Sequence, residues 1–186
     1  MKRLFDFIFC ILMLIILLLP MILIGIMVRF TSSGPAFYWS ERVGRNNKII
    51  NMPKFRSMLT STPIVATHLI ENSDQFLTPI GGFLRRFSLD ELPQLLSVLN
   101  GDMSFVGPRP ALFNQYDLIS LRKNKGIDIL IPGITGWAQI NGRDNISILE
   151  KVDLDFEYLQ YKSFLFDLRI IKSTIIMVLK RDNVSH

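Results

Sequence analysis

The stretch Leu84–Pro110, LRRFSLDELPQLLSVLNGDMSFVGPRP, brings two arginines, an adjacent acid pair and an arginine between two prolines close together in the chain. Asp90 and Glu91 are carboxylates that, when ionised, can attack phosphorus or hold a divalent cation, and Arg85, Arg86 and Arg109 carry guanidinium groups suited to phosphate oxygens. Lys54 and Arg56 upstream add more positive charge than two acids need for surface balance. The pattern reads as an anion site beside a candidate nucleophile. Magnesium is the metal that suits such a pair, because it takes one or two protein carboxylates and fills its other positions with substrate phosphate and water. Plainer explanations exist: acid pairs are usually solvated, and Arg109 could serve an ordinary salt bridge.

Ser88-Leu89-Asp90-Glu91 also matches a helix capping box, Ser followed three residues later by Glu. A cap at Ser88, however, puts Pro93 where the helical ladder needs a backbone N–H. With Asp90 as the cap, Pro93 falls in the first turn and costs no hydrogen bond. The acids would then lie at the positive end of the helix dipole, which favours their ionised form. Leu92, Leu95, Leu96 and Leu99 share one helical face, and Asn100-Gly101 closes that helix.

The elements that must position these groups start with a lipid-like front end, in which nothing charged follows Asp6 until Arg29. Phe7–Val28 is roughly the 20 residues that span a hydrocarbon core as a helix, so a plain transmembrane anchor is one reading. Pro20 lies near the middle of the run, and cations flank both ends: Lys2 and Arg3 before it, Arg29 after it. A re-entrant helix over residues 1–30, folded back at Pro20 with both ends cytoplasmic, satisfies both observations. A cleaved signal peptide fits poorly, because the run is too long and no A-x-A-like site follows.

The remaining residues 31–186 suffice for one compact domain, in a chain of 186 residues with 49% hydrophobic and 20% charged content. The formal net charge of +5 suits anionic lipid or an anionic substrate better than nucleic acid, given a chain already committed to a bilayer. Cys10 is the single cysteine, and the two histidines are His68 and His186, which argues against a disulfide framework, a cysteine zinc site and Ser-His or Cys-His catalysis. The pattern predicts a short strand at Ala36–Trp39, a loop at Glu41–Asn47 and a strand within Lys48–Met58 interrupted by Pro53. It predicts helices at Leu112–Arg122, Glu150–Tyr161 and Phe164–Arg181, with Ile131–Arg143 as a structured loop. Thr60–Thr78 is weakly patterned. The last helix is basic and amphipathic, pairing Arg169, Lys172, Lys180 and Arg181 with Phe166, Leu168, Ile170, Ile171, Ile175, Ile176 and Leu179, and could lie at the interface or serve as a core helix.

SLDELPQL, GDMSFVGPRP, KFRSM and PGITGWAQINGR, following an apolar N-terminal segment, resemble the bacterial sugar transferase family, the monotopic phosphoglycosyl transferases. The resemblance runs from about Lys2 to about Leu179, the extent of that family's small catalytic core. It implies an α+β fold, with a re-entrant membrane helix followed by a mostly helical interfacial catalytic domain carrying a small β element. It implies an active site on the cytoplasmic face of the bacterial inner membrane, Mg2+, and transfer of a sugar 1-phosphate from a UDP-sugar to polyprenol phosphate with release of UMP. Carried over by motif, Asp90 is the nucleophile forming a phosphosugar-enzyme intermediate, Glu91 helps it hold the metal, and Lys54, Arg85 and Arg109 bind substrate. Gln139 and Arg143 lie in the stretch expected to face the nucleotide. The expected partners are the UDP-sugar, polyprenol phosphate, membrane lipid and downstream glycosyltransferases, with a homodimer admitted and no nucleic acid. Leu19 precedes Pro20 where many relatives have Ser, and residues 59–80 and the identity of the sugar stay open. The rivals are a non-catalytic anchor that binds anionic lipid and a polytopic transferase, the latter disfavoured by the single apolar segment.

Overall fold

An almost unbroken run of Leu, Ile, Met and Phe forms α1, Lys2–Thr31, in the computed structural model, which describes residues 2–63, 73–142 and 146–180. Helical structure continues through Pro20, over about 45 Å of helix at 1.5 Å per residue. One seam of α1, comprising Cys10, Met13, Leu14, Leu17, Met21, Ile24 and Val28, packs on the rest of the chain. The opposite side, including Leu4, Ile8, Ile15, Leu18, Leu19, Ile22 and Phe30, is exposed and apolar. Single exposed apolar residues are ordinary, but a contiguous face of this size marks an interaction surface.

Both ends of α1 are tied to the domain that follows. The Lys2 ammonium donates to Asp167 Oδ2 (2.6 Å), Val106 O (2.8 Å) and Tyr158 Oη (2.9 Å), and Arg3 donates to Val98 O and Leu99 O. Buried Asp6 accepts from Ser104 Oγ at 2.8 Å and from the Phe105 amide at 3.3 Å. At the far end, Thr31 and Ser32 hydroxyls return to Met27 O and Val28 O, and the Arg56 guanidinium donates to Ser32 O and Oγ. These bonds satisfy carbonyls that a helix C-terminus leaves open. Gly34, with φ +112°, then turns the chain away.

The strands β1, Phe37–Val43, and β2, Ile49–Phe55, form an antiparallel pair in which Trp39 lies opposite Pro53. Pro53 therefore belongs to the strand it was expected to interrupt, which a two-stranded sheet tolerates because each strand has an unpaired edge. The expected loop at Glu41–Asn47 is strand as far as Val43. Phe55 is buried with Val28, Ile24 and Leu84, which fastens β2 to α1 and to α2, Gly81–Arg86.

A 3-10 segment, Leu89–Gln94, leads directly into α3, Leu95–Asn100, which Gly101 closes at φ +95°. Leu95 is buried as expected, but Leu96 points outward, and Pro93, Gln94, Ser97 and Val98 complete the inner face. Leu92 and Leu99 also pack inward, so of the four leucines expected on one face only Leu96 departs from it.

Ile131–Arg143, expected to be a loop without regular elements, contains two. The strand β3, Ser104–Val106, pairs in parallel with β4, Gly133–Thr135, and α5, Trp137–Ile140, follows. Glycine here serves close backbone approach. A Cβ at Gly133 would stand 2.1 Å from Gly107 N, and one at Gly136 2.2 Å from Gly107 O. The helix α4 is Tyr116–Asn124, since Leu112 is taken by a bridge to Arg42. A true capping box, Ser147 with Glu150, starts α6 at Ile148–Tyr161, and α7, Phe164–Lys180, completes the fold. The architecture is α+β: helices predominate, and two two-stranded sheets carry the loops of the site.

Candidate active site

Asp90 and Glu91 lie in the 3-10 segment, and neither N-cap expected for them is formed. Ser88 adopts a left-handed conformation at φ 53° and its side chain makes no capping bond. Pro93 explains the outcome: a 3-10 turn that becomes α-helical only at Leu95 accommodates the missing N–H. The dipole argument based on an Asp90 cap therefore does not apply, and the charge environment of the pair comes from side chains.

Glu91 is pinned. Its Oε1 accepts from Lys54 Nζ at 2.7 Å and from Arg109 Nη2 at 2.7 Å, while Oε2 receives a longer 3.4 Å contact from Arg109 Nη1. Burial would raise its carboxyl, but Arg109 and Lys54 outweigh that and hold it well below the usual carboxylate range. Asp90 behaves in the opposite way. It is 8% exposed, and among the described residues its carboxylate accepts no hydrogen bond. Burial raises it above the ordinary aspartate value, Lys54 opposes the shift, and neighbouring Glu91 adds to it. Burial likewise lowers the Lys54 ammonium despite the attraction of both acids.

The result is two adjacent carboxylates with different roles available. Glu91 is a charge-neutralised clamp between β2 and the Pro108-Arg109-Pro110 loop, and Asp90 is a poorly solvated carboxylate that, among the described residues, accepts no hydrogen bond. Arg85 contributes positive potential at Asp90, while its Nη1 rests 3.3 Å from Met58 Sδ. The loop holding Arg109 is fixed by β3 and β4: Gly107 N donates to Thr135 O and Gly133 N donates to Pro108 O.

A magnesium ion would find few protein oxygens here. Among the described residues no three His, Cys, Asp or Glu side chains cluster. Among the described residues the Asp90 carboxylate is unbonded and Glu91 Oε2 has only the longer contact from Arg109, whereas Glu91 Oε1 is committed to two cations. Two carboxylate oxygens, with substrate phosphate and water supplying the rest, fit the preference of magnesium.

Of the other expected site residues, Gln139 is not joined to this cluster. Its amide nitrogen donates to Ile134 O at 3.0 Å and its Oε1 is buried without a partner among the described residues, so it braces the β4–α5 turn. Arg143 lies outside the described residues, as do residues 64–72 of the segment 59–80. The sequence reading missed Arg42, which approaches Pro110 O at 3.4 Å and bonds Ser40 Oγ at 2.9 Å. Its guanidinium is lowered to about 10 by burial and then by Arg109, which places it beside the Arg109–Glu91 pair. The only available signal was its even spacing from Ser40 along a strand expected to end earlier.

Residues 1–181 match the family model for bacterial sugar transferases. An uncharacterised sugar transferase of Bacillus subtilis, EpsL, is 38% identical over 98% of this chain and 89% of its own length. The UDP-glucose:undecaprenyl-phosphate glucose-1-phosphate transferase of Escherichia coli is 40% identical over 94% of this chain. The undecaprenyl-phosphate galactose phosphotransferase of Salmonella typhimurium is 35% identical over 97%. The chain spans only 39% and 41%, respectively, of those two longer relatives. The chain belongs to the bacterial sugar transferase family, and is a transferase.

Proposed function

We propose that this protein transfers a sugar 1-phosphate from a UDP-sugar to a polyprenol phosphate such as undecaprenyl phosphate, releasing UMP through a phosphosugar-aspartyl intermediate on Asp90. The observation that carries the proposal is the Asp90 carboxylate, buried and, among the described residues, without a hydrogen-bond donor, beside a Glu91 that Lys54 and Arg109 already neutralise. A desolvated, uncommitted carboxylate is a stronger nucleophile than a solvated one, and fixed cations around it stabilise charge on a phosphoryl group passing through. The names of the longer relatives agree with this class of substrates.

In the first half-reaction, an Asp90 oxygen attacks the sugar-linked phosphorus and the bond to the UMP oxygen breaks, so UMP leaves with the electron pair. In the second, an oxygen of the polyprenol phosphate attacks the same phosphorus and Asp90 is released. Arg109 and Lys54 hold Glu91 and present positive charge to the non-bridging oxygens, with Arg85 adding potential from the α2 side. Magnesium, when bound by Asp90 and Glu91, supplies further charge on the phosphates.

The same proposal places the site at the cytoplasmic face of the inner membrane. Lys2, Arg3 and Asp6 at one end of α1 and Ser32 at the other bind the same domain, an arrangement that suits a helix entering and leaving one leaflet from one side. Its outer apolar face supplies the lipid contact. The test is UMP release from a panel of UDP-sugars with polyprenol phosphate and magnesium, combined with mass-spectrometric capture of a phosphosugar adduct before acceptor is added. Release without an adduct would remove the covalent step, and no release with any sugar would remove the activity.

A further inference from the structure

We infer that Arg56, at the junction of β2 and the end of α1, is a binding site for a phosphate borne by a membrane lipid. The proposal rests on the transfer reading above only in suggesting which lipid arrives.

Arg56 is 4% exposed, yet among the described residues no carboxylate pairs with it. Its Nη2 is used, donating to Ser32 O at 2.9 Å and Ser32 Oγ at 2.7 Å. Nε and Nη1 are buried with no acceptor. The charge that acts on it is another cation, Arg29, in the last turn of α1. Buried ionised groups are normally paired, and a buried guanidinium with two idle nitrogens and a like-charged neighbour is costly unless an anion completes it.

The structural role of Arg56 does not account for this. A cation at the C-terminus of α1 suits the helix dipole and its open carbonyls, and Nη2 alone performs that task. The guanidinium itself is packed against Gly34. A Cβ at Gly34 would stand 2.1 Å from Nη1, so only a residue without a side chain leaves this guanidinium its place.

Location selects the class of anion. The site adjoins the exposed apolar face of α1, where Met27 and Phe30 are open, so an anion arriving there on a lipid keeps its chains in contact with that face. Arg56 also lies two residues beyond Lys54 on the same strand direction, about 7 Å along an extended chain, and Lys54 holds Glu91. Phosphate suits guanidinium donors in either lipid source, the acceptor polyprenol phosphate or bulk phospholipid.

The test uses the full-length protein and its Asp90→Asn variant, which needs no turnover, with vesicles of phosphatidylcholine alone, doped with polyprenol phosphate, or doped with phosphatidylglycerol. Binding of the unaltered chain is expected to strengthen on doping, and Arg56→Gln to lose about tenfold of that gain, the equivalent of one charge-assisted contact. Loss confined to the polyprenol phosphate vesicles identifies the acceptor, and loss with both dopants identifies any lipid phosphate. Arg56→Met is the second variant, since an unpaired buried cation can be replaced by an apolar chain without loss of folding. Its melting temperature should no longer rise on addition of the doped vesicles, whereas that of the unaltered chain does. If both variants keep the dopant-dependent gain, the site is overturned, whatever the outcome of the adduct experiment at Asp90.

Discussion

Arg122 of α4 donates through Nη1 to the backbone carbonyl of Arg109 at 2.8 Å, and through Nε and Nη2 to Asp155 of α6 at 3.0 and 2.6 Å. The guanidinium is thus a buried strut between α6 and the loop that presents Arg109 to Glu91. Arg122→Met leaves Asp155 buried and unpaired, a defect of about 3 kcal/mol. The double variant Arg122→Met/Asp155→Leu is expected to recover most of that stability in urea unfolding. UMP release should stay depressed in both, because the anchor of the Arg109 carbonyl is missing in both. Full recovery of activity in the double variant would make the strut purely structural.

Asp90→Asn should abolish UMP release and adduct formation while raising stability. The sign follows from the direction of its shift. A carboxyl whose folded value lies above its unfolded value disfavours the fold at every pH where it is ionised, with the full cost reached above the folded value. The amide removes that cost and the repulsion from Glu91. A higher urea midpoint with no turnover is expected, and turnover like that of the unaltered chain would end the nucleophile assignment. In the unaltered enzyme, the acid limb of the first half-reaction should lie above about pH 4, the ordinary aspartate range.

Glu91→Gln is expected to do the reverse and destabilise. It leaves Lys54 and Arg109 facing a neutral amide in a buried setting, at a cost of about 3 kcal/mol. Glu91 has a depressed folded value, so its contribution is present above the unfolded glutamate value and is lost as pH falls through the folded one. Acid unfolding of the unaltered chain should include this loss, and the Gln variant should show a flatter pH dependence. Equal slopes in urea titrations across the acid range would contradict the clamp.

Arg109→Lys keeps the charge but cannot reproduce the two-nitrogen contact with Glu91. An interaction realised mainly in the transition state shows in turnover, and one made equally in the ground state shows in the Michaelis constant. Turnover is expected to fall about a hundredfold, the scale of losing one preorganised donor, with a smaller change in the Michaelis constant for the UDP-sugar. The opposite split would make Arg109 a binding residue only.

Much of this site was legible because its chemistry is local in sequence. Asp90, Glu91, Arg85, Lys54 and Arg109 stand out by type and spacing, and all three cations act on one carboxylate or the other. What sequence could not supply was the backbone that Pro93 imposes. A proline after an acid pair is compatible with a cap or with a 3-10 turn, and only packing decides. Arg42 and Arg122 were illegible for a different reason: an arginine on a short strand or amphipathic helix looks solvated until its buried partner, Pro110 O or Asp155, arrives from distant sequence. The parallel pairing of β3 and β4 was hidden in a glycine-rich run that reads as a loop, although its glycines mark close contact with Gly107.

The two ends of α1 give the last prediction. Lys2 and Arg3 are bonded to β3, α3 and α7 elements of the domain, and Ser32, three residues past Arg29, is bonded to Arg56 at the end of β2. A helix crossing the whole bilayer would carry its Lys2 end to the other side of the hydrocarbon core, about 30 Å away, and would have to break every one of those bonds. The contacts of Lys2 and Asp6 are with partly buried and buried groups, so releasing them takes the ammonium from Asp167 Oδ2 and the carboxylate acceptor from the Ser104 hydroxyl. Cys10 is buried on the inner seam, and its replacement by Ala supplies a background without native thiols. In that background, single cysteines placed at Leu4 and at Phe30, both exposed, should be blocked in intact cells only by reagents that reach the cytoplasm. Labelling of the Leu4 position by an impermeant reagent from the periplasm, with the Phe30 position still protected, would establish a spanning helix and separate α1 from the domain it packs on here.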